Sequence, residues 1–236
     1  GMRPVIIHGG GKAINNAMEA RGLQVEFVQG RRYTDQRTLT VVEHVLCNEI
    51  NRQLVNMIEA MGSSAMGLHT LSSTVLFGEK LFLESEGRKI DLGFVGRVTS
   101  VNARLIELLC QADTVPVIAP LARDKTGTKL NCNADTAAGE VAAALKAEKF
   151  VVVSDTHGIR RDPKDPDSLI AQVSEAEIRA MIQDGTISSG MLPKVEACLR
   201  ALDGGVHRTH IIDGRFPHSL LLEIFSDGGV GTLIQK

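Results

Sequence analysis

Tryptophan is absent from the chain and tyrosine occurs once, at Tyr33, so flat side chains on which nucleic-acid bases could stack are scarce. Neither sign of charge dominates: 26 Lys and Arg stand against 28 Asp and Glu, a formal net charge of -2. That balance offers no basic face to nucleic acid and no lysine-rich block to an anionic membrane. No apolar run approaches the roughly 20 residues needed to cross a bilayer. Pro4 to Ile7 is too short for the core of a signal peptide and runs straight into glycines. The four cysteines, Cys47, Cys110, Cys132 and Cys198, are scattered without a CxxC pair. They argue against a disulfide or zinc framework and for reduced thiols in the cytoplasm.

What is present is ordinary for a globular chain of 236 residues, 43% hydrophobic and 23% charged, long enough for one large domain or two small lobes. Short apolar runs alternate with helical patterns. Pro4 to Ile7, Ser64 to Leu68, Val115 to Ala119, Phe150 to Ser154 and His210 to Ile212 read as strands. Between and after them, Ile14 to Arg21, Val101 to Gln111, Asp135 to Ala147, Ser174 to Asp184, Met191 to Leu202 and Ser219 to Phe225 read as helices. Thr38 to Met61 carries apolar residues at helical spacing over about six turns. From Thr74 to Thr99, β-prone runs broken at Gly78, Gly87 and Gly93 suggest hairpins. This alternation predicts a three-layer α/β/α fold around a mainly parallel sheet, with the hairpins at one edge. A new strand-first unit begins after Ala147, which predicts lobes over 1–147 and 148–236, and Asp162 to Ser168 reads as an exposed loop.

Five segments carry chemistry. His8-Gly9-Gly10-Gly11-Lys12 links a buried strand to a helix. Bare backbone N–H groups and a helix N-terminus would stabilise an anion there; a tight turn needing positive φ is the other reading. The motif is neither GxGxxG nor GxxxxGK[ST]. Gly30-Arg31-Arg32-Tyr33-Thr34-Asp35 offers arginines for bidentate capture of a carboxylate, or solvated charges beside a helix cap at Thr34 or Asp35. Asn131 to Asp135 opens the alanine-rich helix, as caps or as a substrate amide plus an acid that positions a cation. Val153 to Ile159 turns polar at a strand end, where open parallel sheets bind ligands. Ser188 to Lys194 then starts a helix with Pro193 in the first turn and Lys194 beside it. A lysine at a helix N-terminus has the wrong sign for the dipole, as expected of a side chain kept for phosphate.

In this order, PVIIHGGGK, FVQGRRYTD, IDLGFVGRV, PVIAPL, LNCNADTAAGEVAAALKAEK, DGTISSGMLPKVEACLRAL and HIIDGR resemble the N-acetylglutamate kinases of the amino-acid kinase family, over nearly the whole chain. The resemblance implies that Gly10 and Gly11 contact the N-acetyl-L-glutamate and the transferring phosphoryl group. Arg32 would hold the acceptor's α-carboxylate, with Asn131 also on the amino acid. Asp135 would organise catalytic lysines, and Lys194 would stabilise the phosphoryl charge. Ser154, Asp155, Gly158, Gly190 and Met191 would serve the nucleotide, ATP arriving with Mg²⁺ and no metal held by protein ligands. A homodimer built through the acceptor lobe is expected. Kinases for other carboxylates, such as aspartate or an aminoadipate derivative, and non-catalytic amino-acid- or nucleotide-binding relatives are the alternatives. Three departures stand out. The family's KxGG strand, with a second catalytic lysine, would precede Gly1; an incomplete enzyme of very weak activity is the expectation. A GLSGKDG-like loop is replaced by Gly67 to Ser72. Gly228 stands where arginine-inhibited members carry an acid, and their hexamer-building N-terminal helix has no counterpart, so neither a hexamer nor arginine inhibition is expected.

Overall fold

The computed structural model describes residues 1–85, 87–162, 165–187, 189–226 and 229–236. Pro163 and Lys164 of the expected exposed loop, Ser188 before the glycine turn, and Gly228 lie outside the described residues. The chain divides into two compact units, Gly1–Ala138 and Gly139–Lys236, and the expected α/β class holds in each.

In the first unit, β1 (Ile6–Ile7) leads into α1 (Gly11–Glu19), which buries Ile14 and Met18 one turn apart. β2 (Phe27–Val28) and β3 (Arg31–Arg32) form a hairpin closed by Gln29 and Gly30, both at positive φ, the geometry of a two-residue type I′ turn. Asp35 caps α2 (Gln36–Glu43), its carboxylate accepting the Thr38 N–H at 2.7 Å. A π-helical stretch, His44–Asn51, joins α2 to α3 (Arg52–Ala60). Next come β4 (Ser64–Leu68), β5 (Leu76–Ser85), β6 (Arg88–Val101), α4 (Ala103–Gln111), β7 (Thr114–Ile118), β8 (Leu121–Arg123) and β9 (Lys129–Cys132). α5 (Ala134–Leu145) runs across the division into the second unit.

β7 is the middle strand of a parallel sheet ordered β1-β7-β4, with Val117 and Ile118 fully buried. Ile14, Met18, Leu39, Val42, Val45 and Leu46 form the core beside it. The hairpin expected from Thr74 to Thr99 is one long pair, β5 with β6, closed by β9 and β8 into a four-stranded barrel. Gly78 and Gly93 do not break these strands. Gly78 sits at a register shift opposite Val98, where a Cβ would strike the Arg97 carbonyl. At Gly93, φ is +75° and a Cβ would strike the Thr34 carbonyl. The glycine is there so that Thr34 can dock on β6, where it accepts from Phe94 N–H at 2.6 Å.

The helix expected from Thr38 to Met61 is continuous, but its middle is π-helical. A π stretch holds more residues per turn than an α-helix. Downstream of it, α3 buries none of its residues fully: Leu54, Val55 and Ile58 are half-buried, and Met57 and Met61 are 47% and 77% exposed. The same stretch delivers Asn51, 1% exposed, to the strand–helix turn. Its amide donates to the Val117 carbonyl at 2.9 Å and meets His8 Nε2 at 3.1 Å. With Nε2 accepting, the His8 proton sits on Nδ1, 3.2 Å from the Gly9 carbonyl. His8 is therefore a neutral structural residue, and burial pulls its pKa below the imidazole range.

In the second unit, β10 (Lys149–Ser154) is followed by β11 (Gln172–Ser174), α6 (Glu175–Gln183), α7 (Leu192–Asp203), β12 (Arg208–Asp213), α8 (Ser219–Phe225) and β13 (Thr232–Gln235), in a sheet ordered β10-β12-β13-β11. β10 and β12 are parallel, whereas β13 runs antiparallel to β12. Ser174 and Glu177 make a reciprocal capping box at the start of α6. α7 packs against the end of α5 through bare glycines: a Cβ on Gly139 would lie 2.7 Å from the Ala197 carbonyl, and Gly204 fits against Ala143.

Because His8 binds a proton less readily when folded than unfolded, protonation favours the unfolded chain. Stability should fall as pH drops below about 6.5, the imidazole's ordinary pKa, with His69 adding a change of the same sign. Chemical denaturation from pH 8 to pH 5 should show that decline, and His8→Gln should flatten it.

Candidate active site

The first unit carries a cleft of about 210 Å³ between the glycine turn, the β2–β3 hairpin and the β9–α5 junction. Gly10, Gly11, Arg32 and Asn131 all line it, joined by Phe27, Arg31 and Asn133. None of the three turn glycines has a left-handed backbone, so the turn does not use them for positive φ. At Gly10 the reason is steric. A Cβ on Gly10 would lie 2.7 Å from Leu46 Cδ2 and 2.8 Å from Ile50 Cδ1, whereas Gly11 faces open space. Gly11 is also the first residue of α1, so bare N–H groups of a helix start face the cleft.

Arg32 is 7% exposed. Its guanidinium donates to Asn15 Oδ1, to the Gly11 carbonyl at 3.3 Å and to Met18 sulfur at 3.3 Å. Its central carbon lies 4.8 Å from the Phe27 ring centre, a cation–π distance. All four partners are neutral, and no described acidic side chain pairs with Arg32. Burial pulls its pKa below the arginine norm, yet guanidinium stays charged at neutral pH. A buried cation without a counter-charge is costly unless an anion joins it. Of what was expected for Gly30 to Asp35, the cap is present at Asp35, and Arg32 is not a solvated charge but buried beside the cleft.

Asn131 belongs to β9 and does not open the alanine-rich helix as its sequence suggested. Its amide donates to Thr34 Oγ1 at 3.1 Å, and that hydroxyl donates to the Arg32 carbonyl at 2.9 Å. Asn133 caps α5, accepting from Thr136 N–H at 2.9 Å. Asp135, in the first turn of that helix, is thus not the cap.

The second unit carries a separate cavity of about 420 Å³ at the carboxyl end of β10, lined by Asp155, Gly158, Ile159, Arg160, Met191 and Arg215 among others. Ser154 does not belong to the lining described; its hydroxyl donates to Asp155 Oδ1 at 3.3 Å. Gly190 is exposed beside Met191, and Lys194 sits in the first turn of α7; neither belongs to the lining described. Two anchors escaped the sequence reading. The Thr232 hydroxyl accepts from Ile159 N–H at 2.8 Å and donates to the Ile170 carbonyl at 2.7 Å, fixing the loop that starts at Gly158. Asp213, buried at the end of β12, accepts from the Arg215 guanidinium at 3.0, 3.3 and 2.7 Å and from its backbone N–H at 2.9 Å, with His157 Nδ1 at 3.3 Å. The hydrogen bonds from Arg215 push the Asp213 pKa down to about 2. An apolar run ending in Asp-Gly-Arg was the available signal.

Residues 1–213 match the amino acid kinase family. The chain belongs to that family. Among curated relatives of this amino acid kinase, the acetylglutamate kinase of Heliobacterium modesticaldum is 46% identical over 100% of this chain and 82% of its own length. That of Methanococcus maripaludis is 44% identical with the same coverages of 100% and 82%. A crystal structure of smu.665 from Streptococcus mutans superposes with a TM-score of 0.81 at 28% identity, covering 99% of this chain and 86% of that one.

The glycine turn makes a paired test. Gly10→Ala should lose about 1–2 kcal/mol of stability through overpacking against Leu46 and Ile50. Gly11→Ala, which meets nothing, should lose none in the same urea titration.

Proposed function

We propose that this chain is an acetylglutamate kinase. It transfers the terminal phosphoryl group of ATP·Mg²⁺ to the side-chain carboxylate of N-acetyl-L-glutamate, giving N-acetylglutamyl 5-phosphate for arginine biosynthesis. The observation that carries the reading is the cleft of the first unit. Its lining holds Arg31 and Arg32 and no acidic side chain among the described residues, while Ile14, Phe27, Leu46 and Val95 make it apolar. Such a cleft suits an acid whose α-nitrogen is acylated; a free α-ammonium would enter without a counter-charge. The names of the relatives agree with this.

Acceptor binding is assigned to residues 1–147 and nucleotide binding to 148–236, in line with a cleft built from residues 9–134 and a cavity built from residues 155–215. The acceptor carboxylate is already ionised at neutral pH and needs no general base. Catalysis then rests on positioning and on offsetting phosphoryl charge. Arg32 holds the α-carboxylate and Asn131 the rest of the amino acid. The N–H groups at Gly10 and Gly11, with Lys194, meet charge on the transferring phosphoryl group. Asp135 orients the catalytic cations. Asp155, Gly158 and Met191 shape the nucleoside cavity, with Ser154 and Gly190 at its borders. Mg²⁺ enters as part of the nucleotide substrate. No disulfide links the cysteines among the described residues, which suits a cytoplasmic enzyme.

Steady-state kinetics tests the reading. Arg32→Lys should raise KM for N-acetyl-L-glutamate several-fold more than KM for ATP, because lysine cannot reproduce the bidentate fork. Lys194→Ala should lower kcat by roughly 10²–10³ with ATP binding largely kept. Equal small effects on both KM values, or a Lys194 variant retaining more than about a tenth of turnover, would overturn these assignments.

The chain is also proposed to form a dimer through α3, where Met57 and the following Met61 are exposed while Leu54, Val55 and Ile58 are half-buried. Sedimentation equilibrium should return a dimer, and Met57→Asp with Met61→Asp should give a monomer.

A further inference from the structure

On α1, Gly11, Asn15 and Met18 stand at positions i, i+4 and i+7, which share one face of a helix. All three contact the same guanidinium, that of Arg32: the carbonyl of the first, the amide oxygen of the second and the sulfur of the third. Of these partners only Asn15 is a side chain whose charge a single isosteric exchange can change. Its Oδ1 takes a hydrogen from Nη2, the same nitrogen that donates to Gly11. It thereby ties the guanidinium to the glycine turn while leaving its positive charge uncompensated. Asn15 does not line the cleft itself.

We propose that Asn15 is a positioning residue for the acceptor: it aims Arg32 into the cleft and, by being neutral, keeps the guanidinium's charge for the incoming carboxylate. The inference rests on the reading of the cleft as the acceptor site. An aspartate at this place would have the shape of asparagine and make the same contact, but as an ion pair with Arg32 that competes with the ligand. An alanine would leave the charge available and lose only the aim.

The two substitutions therefore separate function from structure. Isothermal titration of the whole chain with N-acetyl-L-glutamate should show Asn15→Asp weakening binding by at least about tenfold. Asn15→Ala should weaken it less, and ATP·Mg²⁺ affinity should change by under about twofold in both. Thermal melts should place Asn15→Asp at or above the parent, since it adds an ion pair. A merely structural Asn15 gives the opposite order, with alanine the worse because it loses the contact that aspartate keeps. That order, or binding by Asn15→Asp within about twofold of the parent, overturns the proposal. If the parent binds the acceptor and Arg32→Lys weakens it while Asn15→Asp does not, only the role of Asn15 falls. If the parent does not bind it, or Arg32→Lys leaves binding intact, the acceptor-site reading falls as well and this inference with it.

Discussion

One side chain organises the first unit's chemistry. Burying a guanidinium among neutral partners is unfavourable in isolation, because a charge removed from water asks for an opposite charge. Arg32 is nevertheless buried, and everything around it is arranged to keep it so: a helix face beneath it, an aromatic ring over it, and a β-bridge at Thr34 that fixes the backbone just beyond it. The glycine turn and the hairpin face the same cleft because both contact this one group. An unfilled electrostatic demand is why we propose the cleft as a binding site and not simply a packing defect.

The π-helical stretch solves a different problem. It seats Asn51 under the His8 turn. Val42 just before it and Val45 and Leu46 within it complete the core, whereas α3 after it leaves Met57 exposed. The amide at Asn51 joins the Val117 carbonyl of the central strand to the turn at His8, so the first glycine follows a residue that cannot rotate freely.

Much of this was legible in the sequence because long periodic segments and glycine clusters leave strong local signals. Helices such as Ser219–Phe225 and the strand Ser64–Leu68 stand where their patterns predict. What was illegible has physical causes. β2, β3, β8, β11 and β13 are two to four residues long, too short for alternation to register. Asn131 and Asn133 look alike in sequence, yet one is a strand residue bonded to Thr34 and the other a helix cap, a difference decided by the barrel. The π stretch was invisible because its residues still fit a helical stripe. Asn15, Thr232 and Asp213 act through partners far away in the chain, which no local pattern announces. Gly10 was legible as important; its lack of a side chain also serves packing on Leu46 and Ile50, and the positive φ of the alternative reading is not used.

The β2–β3 hairpin has only two residues in each strand. Two-stranded ribbons of that size do not hold together alone; here the cohesion comes from the contacts of Arg32 with α1. Whatever occupies the cleft and engages that guanidinium adds its own binding free energy to the hairpin's closure. Ligand residence and local opening thus become a single process, and the backbone amides of residues 27–32 are a natural clock for it: their hydrogen exchange should slow with occupancy, in proportion to how tightly the cleft holds its guest.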